Sequence, residues 1–190
     1  LLRKEFLHYG DRLRNFISPK KVFIFFGASD PYNITCNVLN ILSKKSFSHL
    51  SIDVVIGASN PYRSQVFDLV SQRHSAKVYC QIDYISKLMY EADIALGAGG
   101  SAIWERCYLG LPSGLVTFAD NQIESVKYLE KKELVKYLGH FNQLTMISLK
   151  KSIYDFISNA EYLRAFSKNG GDLIDGLGKK RIVNVILKSD

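Results

Sequence analysis

The 190-residue chain is poor in cysteine, proline and methionine, and it has a single tryptophan. Its three cysteines, Cys36, Cys80 and Cys107, lie far apart within apolar patterns. They form no CxxC pair and no Cys/His cluster, which excludes a zinc site and reads as buried reduced thiols. No apolar run approaches the ~18 residues that a bilayer crossing needs, so no membrane span is expected. A basic-then-apolar leader is also missing from the start, which points to the cytoplasm. The four histidines, His8, His49, His74 and His140, are scattered through polar, loop-like surroundings, and none has an acid beside it in sequence. No metal or cofactor is expected in this chain. Neither a GxGxxG nor a Walker sequence occurs.

The net charge is +7, yet the lysines are spread along the chain with no dense block. That distribution argues against nucleic acid and for solvated helix faces, with a residual attraction to an anionic ligand. At 47% hydrophobic and 12% aromatic residues, the composition is that of a folded globular domain. The length suits one domain with a two-sided core. Leu1 to Phe6 read as the tail of a preceding element. Residues 1–18 are accordingly expected to be the end of an interdomain segment, 19–190 a single domain, and the chain part of a longer protein.

Strand and helix signals alternate along the sequence. Val22–Phe26 is a continuous apolar run ending at Gly27, as in a strand buried on both faces. Asp30-Pro31 reads as a helix cap with proline at the first helical position, followed by an apolar stripe at Ile34, Val38, Ile41 and Leu42. The unit recurs: Ile52–Ile56 is a strand, and Gly57-Ala58-Ser59-Asn60-Pro61-Tyr62 nearly repeats Gly27-Ala28-Ser29-Asp30-Pro31-Tyr32. Further strands are expected at Lys77–Cys80, Ala92–Leu96, Ser113–Phe118 and Leu134–Leu138. Helices are expected through Ile82–Met89, Ala102–Leu109 and Asn121–Lys131. From Thr145 the chain reads as helical, broken at Gly170-Gly171 and resumed over Lys179–Leu187. The alternation predicts an α/β fold, a Rossmann-like parallel sheet with helices on both faces. Ligands of such sheets bind beyond the carboxyl ends of the strands, where every glycine turn falls.

The strongest chemical signal is Gly97-Ala98-Gly99-Gly100-Ser101, running into Trp104-Glu105. Glycines allow backbone N–H groups to approach an anion closely, and the following helix presents its unpaired N–H groups to the same point. Ser101 can cap that helix or donate to a phosphate oxygen. Glu105 lies one turn further along the same face, placed to accept from ribose hydroxyls. Read alone, the turn is equally compatible with a tight strand–helix connection. Asp30 and Asn60 read as helix caps, and Ser29 as a ligand contact at the first strand end. Asp120-Asn121-Gln122 follows another strand end, and its donors and acceptors suit sugar hydroxyls and amides.

In order, Phe26-Gly27-Ala28-Ser29-Asp30-Pro31, Gly97–Ser101 with Trp104-Glu105-Arg106-Cys107, Leu109-Gly110-Leu111-Pro112, Ala119-Asp120-Asn121-Gln122, and Asp175-Gly176-Leu177-Gly178 with Arg181-Ile182-Val183 resemble the UDP-2,4-diacetamido-2,4,6-trideoxy-β-L-altropyranose hydrolases of pseudaminic acid biosynthesis. Related domains occur in spore-coat polysaccharide proteins and beside sialic-acid-type synthetases. The resemblance covers almost the whole chain and implies the C-terminal half of a GT-B-type architecture. By it, Gly99, Gly100, Ser101 and Ser29 would hold the UDP diphosphate, Glu105 the ribose, the backbone at Ile82 the uracil, and Asn121 and Gln122 the sugar. The family's catalytic histidine belongs to a GHxxR-type motif of an N-terminal domain, and this chain has no such motif. The expected partners are thus a UDP-sugar and the protein's own N-terminal domain. The expected reaction is hydrolysis that releases UDP. Two alternatives are the donor domain of a GT-B glycosyltransferase and a non-catalytic nucleotide-binding domain fused to a sugar-activating enzyme.

Overall fold

The computed structural model of the chain describes residues 1–9, 14 and 16–187. Residues 10–13 and 15 of the expected 1–18 tail lie outside the described residues. Six strands, β1 (Lys21–Phe25), β2 (Ser51–Ile56), β3 (Ala76–Cys80), β4 (Ile94–Ala98), β5 (Ser113–Thr117) and β6 (Lys136–His140), form one sheet in the order β3-β2-β1-β4-β5-β6. Every pairing is parallel. The chain runs outward from β1 to β3, then crosses back to place β4 beside β1. That reversal leaves a crevice at the carboxyl ends of β1 and β4, the switch point at which open α/β sheets bind ligands.

The helices are α1 (Ile34–Leu42), α2 (Arg63–Ser71), α3 (Ile85–Glu91), α4 (Ala102–Tyr108), α5 (Asp120–Lys131), α6 (Met146–Ser158), α7 (Ala160–Leu173) and α8 (Gly178–Ile186). Because strand side chains alternate between faces, β1 sends Val22 and Ile24 into one core and Phe23 into another. The first core includes Val38, Leu42, Ile153 and Phe156 from α1 and α6. The second holds Leu88 and Met89 from α3, Leu109, and Phe6. Phe6 is fully buried, so the segment before β1 packs into this domain. The buried Arg14 strengthens the same attachment by donating to the carbonyls of Ala92, Leu109 and Gly110.

Four expectations are corrected. Pro31 is not the first residue of a helix, because α1 starts at Ile34. Asp30 does cap it, from further back: its two carboxylate oxygens accept from Ile34 N–H at 3.1 Å and Thr35 N–H at 2.8 Å. The chain reaches that geometry through left-handed backbone at Asp30 and Asn33. Second, β4 extends through Gly97 and Ala98, which pair with β1 and β5, so the glycine turn contracts to Gly99–Ser101. Third, β6 begins at Lys136 because Glu133 and Leu134 belong to the closure of α5. Glu133, at positive φ, donates to Glu130, and Leu134 donates to Leu129, in a Schellman arrangement.

Fourth, α7 runs unbroken through Gly170-Gly171. Gly170 sits in close packing, since a Cβ would stand 3.1 Å from the Cys107 carbonyl oxygen. Here the glycine marks close approach of α7 to α4. It does not mark a break. Among the described residues no helix is long and apolar enough to cross a membrane.

Candidate functional site

The two near-identical turns after β1 and β2 meet at the carboxyl edge of the sheet. Gly57 N–H donates to the Ala28 carbonyl at 3.0 Å. A Cβ on Gly57 would lie 2.5 Å from that oxygen, so only glycine permits the approach. Asn60 does not cap α2, which starts at Arg63 without a side-chain cap; its side-chain oxygen instead accepts from Tyr62 N–H at 2.8 Å in a turn ahead of the helix. Ser29 stands exposed beside this junction.

The turn after β4 is built differently. Gly99 N–H completes the sheet by donating to the Val116 carbonyl at 2.9 Å. The next three N–H groups, of Gly100, Ser101 and Ala102, follow that last sheet bond and precede the ladder of α4. They are the donors this turn offers to an anion. Ser101 does not cap α4 with its side chain, and it is exposed, so its hydroxyl remains available at the same place. A Cβ on Gly100 would meet nothing within 4 Å. Gly100 is therefore bare toward open space.

Two clefts adjoin at Ser101 and Trp104. One, of about 480 Å³, is lined by Ala28, Gly57, Gln81, Ile82, Ser101 and Glu105 over an apolar floor. Gln81 adopts left-handed backbone and donates its N–H to Ile56, which turns the chain so that Ile82 joins this cleft. The other is lined by Gly99, Gly100, Ser101, Trp104, Asn121 and Gln122. The fold thus brings Ile82 and Glu105 together on one side of Ser101, and Asn121 and Gln122 together on the other. Ser29 lines neither, although its neighbour Ala28 does.

Glu105 is buried and held in a manner its sequence neighbourhood did not suggest. Arg3 grips it with two bonds, Nε to Oε1 at 2.6 Å and Nη2 to Oε2 at 2.9 Å. This pairing raises the Arg3 guanidinium above its ordinary range despite partial burial. Gln122 also has one polar end committed, since its Oε1 accepts from Phe118 N–H at 2.9 Å. That bond turns the amide nitrogen into the end left to donate.

Sequence reasoning missed two groups. Arg106 is among the largest fully buried side chains in the fold. Its Nη2 donates to the Ala98 carbonyl at 2.8 Å, while Nε and Nη1 have no hydrogen-bond partner among the described residues. Burial lowers this guanidinium to about 10, so it is still charged at neutral pH. Its position one place after Glu105 gave no hint of burial, because charged residues on helices are usually solvated. The second group is His140, which is buried with its Nδ1 2.9 Å from Thr117 Oγ1 and its Nε2 3.7 Å from an Asp120 carboxylate oxygen. Its neighbours come from other strand ends, so no local pattern reveals them.

Residues 22–182 match the glycosyltransferase family 28 C-terminal domain. Among curated proteins, the chain is 29% identical over 170 residues to the uncharacterized protein MJ1062 of Methanocaldococcus jannaschii, covering 88% of this chain and 31% of that one. It is 21% identical over 168 residues to the spore coat polysaccharide biosynthesis protein SpsG of Bacillus subtilis, covering 88% and 50%. The chain thus spans half or less of the length of these relatives. Several solved structures share its fold. Acinetobacter baumannii MurG has a TM-score of 0.72 at 15% identity, over 90% of this chain and 50% of that one. The UDP-GlcNAc 2-epimerase of Neisseria meningitidis, solved with UDP-GlcNAc bound, has a TM-score of 0.67 at 22% identity, over 91% and 46%. With the match extending from β1 into α8, the chain belongs to the glycosyltransferase family 28 C-terminal domain family.

Proposed function

We propose that this chain is the donor-binding domain of a two-domain GT-B enzyme and that its ligand is a UDP-linked sugar. The observation that carries this reading is the pair of clefts meeting at Ser101, with the N–H groups of Gly100, Ser101 and Ala102 at the junction. A nucleoside diphosphate sugar has the same layout: a flat nucleoside, a central dianion and a polar ring. In this reading the junction holds the diphosphate, with Ser101 donating from its hydroxyl and Ser29 approaching from the β1 edge. Gly99 supports the turn from within the sheet. Ile82 and its backbone receive the uracil, Glu105 the ribose hydroxyls, and Asn121 with the Gln122 amide the sugar. Family membership and a structural neighbour solved with UDP-GlcNAc support the ligand class.

The chemistry follows from where charge develops. Breaking the anomeric C–O bond leaves negative charge on the departing diphosphate, and fixed N–H donors at that position stabilise the transition state more than the ground state. Transfer to an acceptor hydroxyl is the outcome that family membership favours. Hydrolysis is a second reading, supported by the ordered run from Trp104-Glu105-Arg106-Cys107 to Asp120-Asn121-Gln122, which resembles the hydrolase pattern. In it, water attacks the anomeric carbon, its proton passes to a base on another domain, and UDP departs. Calorimetric titration of the chain with UDP, ADP and inorganic pyrophosphate tests the binding reading. Preference for UDP supports it, and equal or absent binding refutes it. Incubating a full-length relative with UDP-sugar, with and without a hydroxyl acceptor, separates transfer from hydrolysis.

A further inference from the structure

Arg106 has no part in the contacts assigned so far, yet its placement is hard to explain as packing alone. Its guanidinium is fully buried and makes one hydrogen bond, to Ala98, the residue immediately before the Gly99–Ser101 turn. Nη1 occupies the space that a side chain on Gly97 would fill, beside the Phe25 carbonyl at the end of β1. Two of its three nitrogens lack hydrogen-bond partners among the described residues. The neighbouring carboxylate of Glu105 is taken by Arg3 in both oxygens. A buried charge with so little compensation is unfavourable unless a counter-charge completes it. The strand that Arg106 bonds, β4, ends beside β1 at the crevice where the sheet order reverses.

We propose that Arg106 is a positioning residue for the diphosphate: it fixes the Ala98 carbonyl, and hence the turn, while setting a permanent positive charge beneath the Gly100–Ala102 donors. The inference rests on the nucleoside diphosphate reading above and deepens it. Arg106 does not touch the ligand; it acts through the turn and through its field, which the low-dielectric surroundings leave weakly screened. It also accounts for Gly97, whose missing side chain makes room for the guanidinium.

The test compares UDP with uridine, which lacks the phosphates, on the wild-type chain and on Arg106→Met and Arg106→Lys. UDP affinity should fall at least tenfold in Arg106→Met, while uridine affinity stays within twofold, and Arg106→Lys should recover part of the loss. Equal losses for both ligands, or no loss in a folded variant, would overturn the proposal. If either variant fails to fold, the wild-type protein supplies the same answer by NMR. The Arg106 side-chain Nε–H resonance should shift when UDP is added and stay in place with uridine. An unmoved resonance at saturating UDP overturns the proposal while leaving the nucleotide reading intact. Failure of the wild type to bind UDP overturns that reading, and the proposal with it.

Discussion

Replacing Gly100 by valine separates binding from folding more cleanly than any other change at this site. A Cβ there would meet nothing within 4 Å among the described residues, and Gly100 does not sit in the left-handed backbone region. The substitution should therefore leave the thermal midpoint unchanged or slightly raised, because the unfolded chain loses conformational freedom worth about 0.4–1 kcal/mol. The same side chain would project into the junction of the two clefts and hold a diphosphate away from the Gly100 and Ser101 N–H groups. Two hydrogen bonds to a charged ligand, at roughly 1.5–3 kcal/mol each, correspond to about two to four decades in UDP affinity. Calorimetric titration, paired with thermal denaturation of the same samples, reads both quantities. A variant that melts like the wild type and binds UDP within threefold of it would refute the placement of the diphosphate. Gly97→Ala is the contrasting control. Its Cβ would crowd Arg106 and lie 2.6 Å from the Phe25 carbonyl oxygen, so stability should drop by about 1–3 kcal/mol, as for an overpacked core.

Three more outcomes are expected. Glu105→Ala should weaken UDP and leave pyrophosphate binding unchanged; equal loss of the two ligands in parallel titrations would exclude a ribose contact. Asp30→Ala removes the acceptor of two buried N–H groups at the start of α1 and should cost about 2–4 kcal/mol in urea denaturation, with little effect on pyrophosphate. The buried Cys36 and Cys107 thiols are both raised from 9.0 to about 11. Their shift makes stability constant below about pH 9 and falling between pH 9 and 11, where the unfolded chain ionises and the folded one does not. The slope is at most about 1.4 kcal/mol per pH unit for each thiol, measurable as a falling urea midpoint. Thiol-reactive reagents at pH 8 should accordingly label the half-buried Cys80 first.

The sheet was legible because its strands are buried on both faces. Val22–Phe26 has no polar position and Ile52–Ile56 only Asp53, and glycine punctuates the ends of both runs. The errors fell where a residue's usual meaning was overridden by a tertiary contact. Gly170 reads as a helix break until the Cys107 backbone is seen against it. Pro31 reads as a first helical residue, but the Asp30 carboxylate reaches past it to Ile34 and Thr35. Gly97 reads as turn, yet it continues β4 because Arg106 needs the space.

The candidate site divides in the same way. Gly100, Ser101, Asn121 and Gln122 follow strand ends directly, so local order predicted that they would gather at one edge. The grip of Arg3 on Glu105 joins residues 102 apart in sequence. The approach of His140 to Thr117 joins two strand ends across the intervening helix. Neither pairing has a local signature. The twin turns at Gly27 and Gly57 were visible as a repeat, whereas the hydrogen bond that joins them, Gly57 to Ala28, depended on the two strands lying side by side.

The central claim is that the turn following β4 is a diphosphate site flanked by a nucleoside cleft and a sugar cleft. Titrating the ¹⁵N-labelled chain with UDP and following backbone amides by NMR tests it most directly. The account predicts saturable shifts centred on Gly100, Ser101 and Ala102, extending to Ile82 and Glu105, with Gln122 responding when a UDP-sugar replaces UDP. Shifts centred elsewhere on the domain, or none at millimolar UDP, would contradict it.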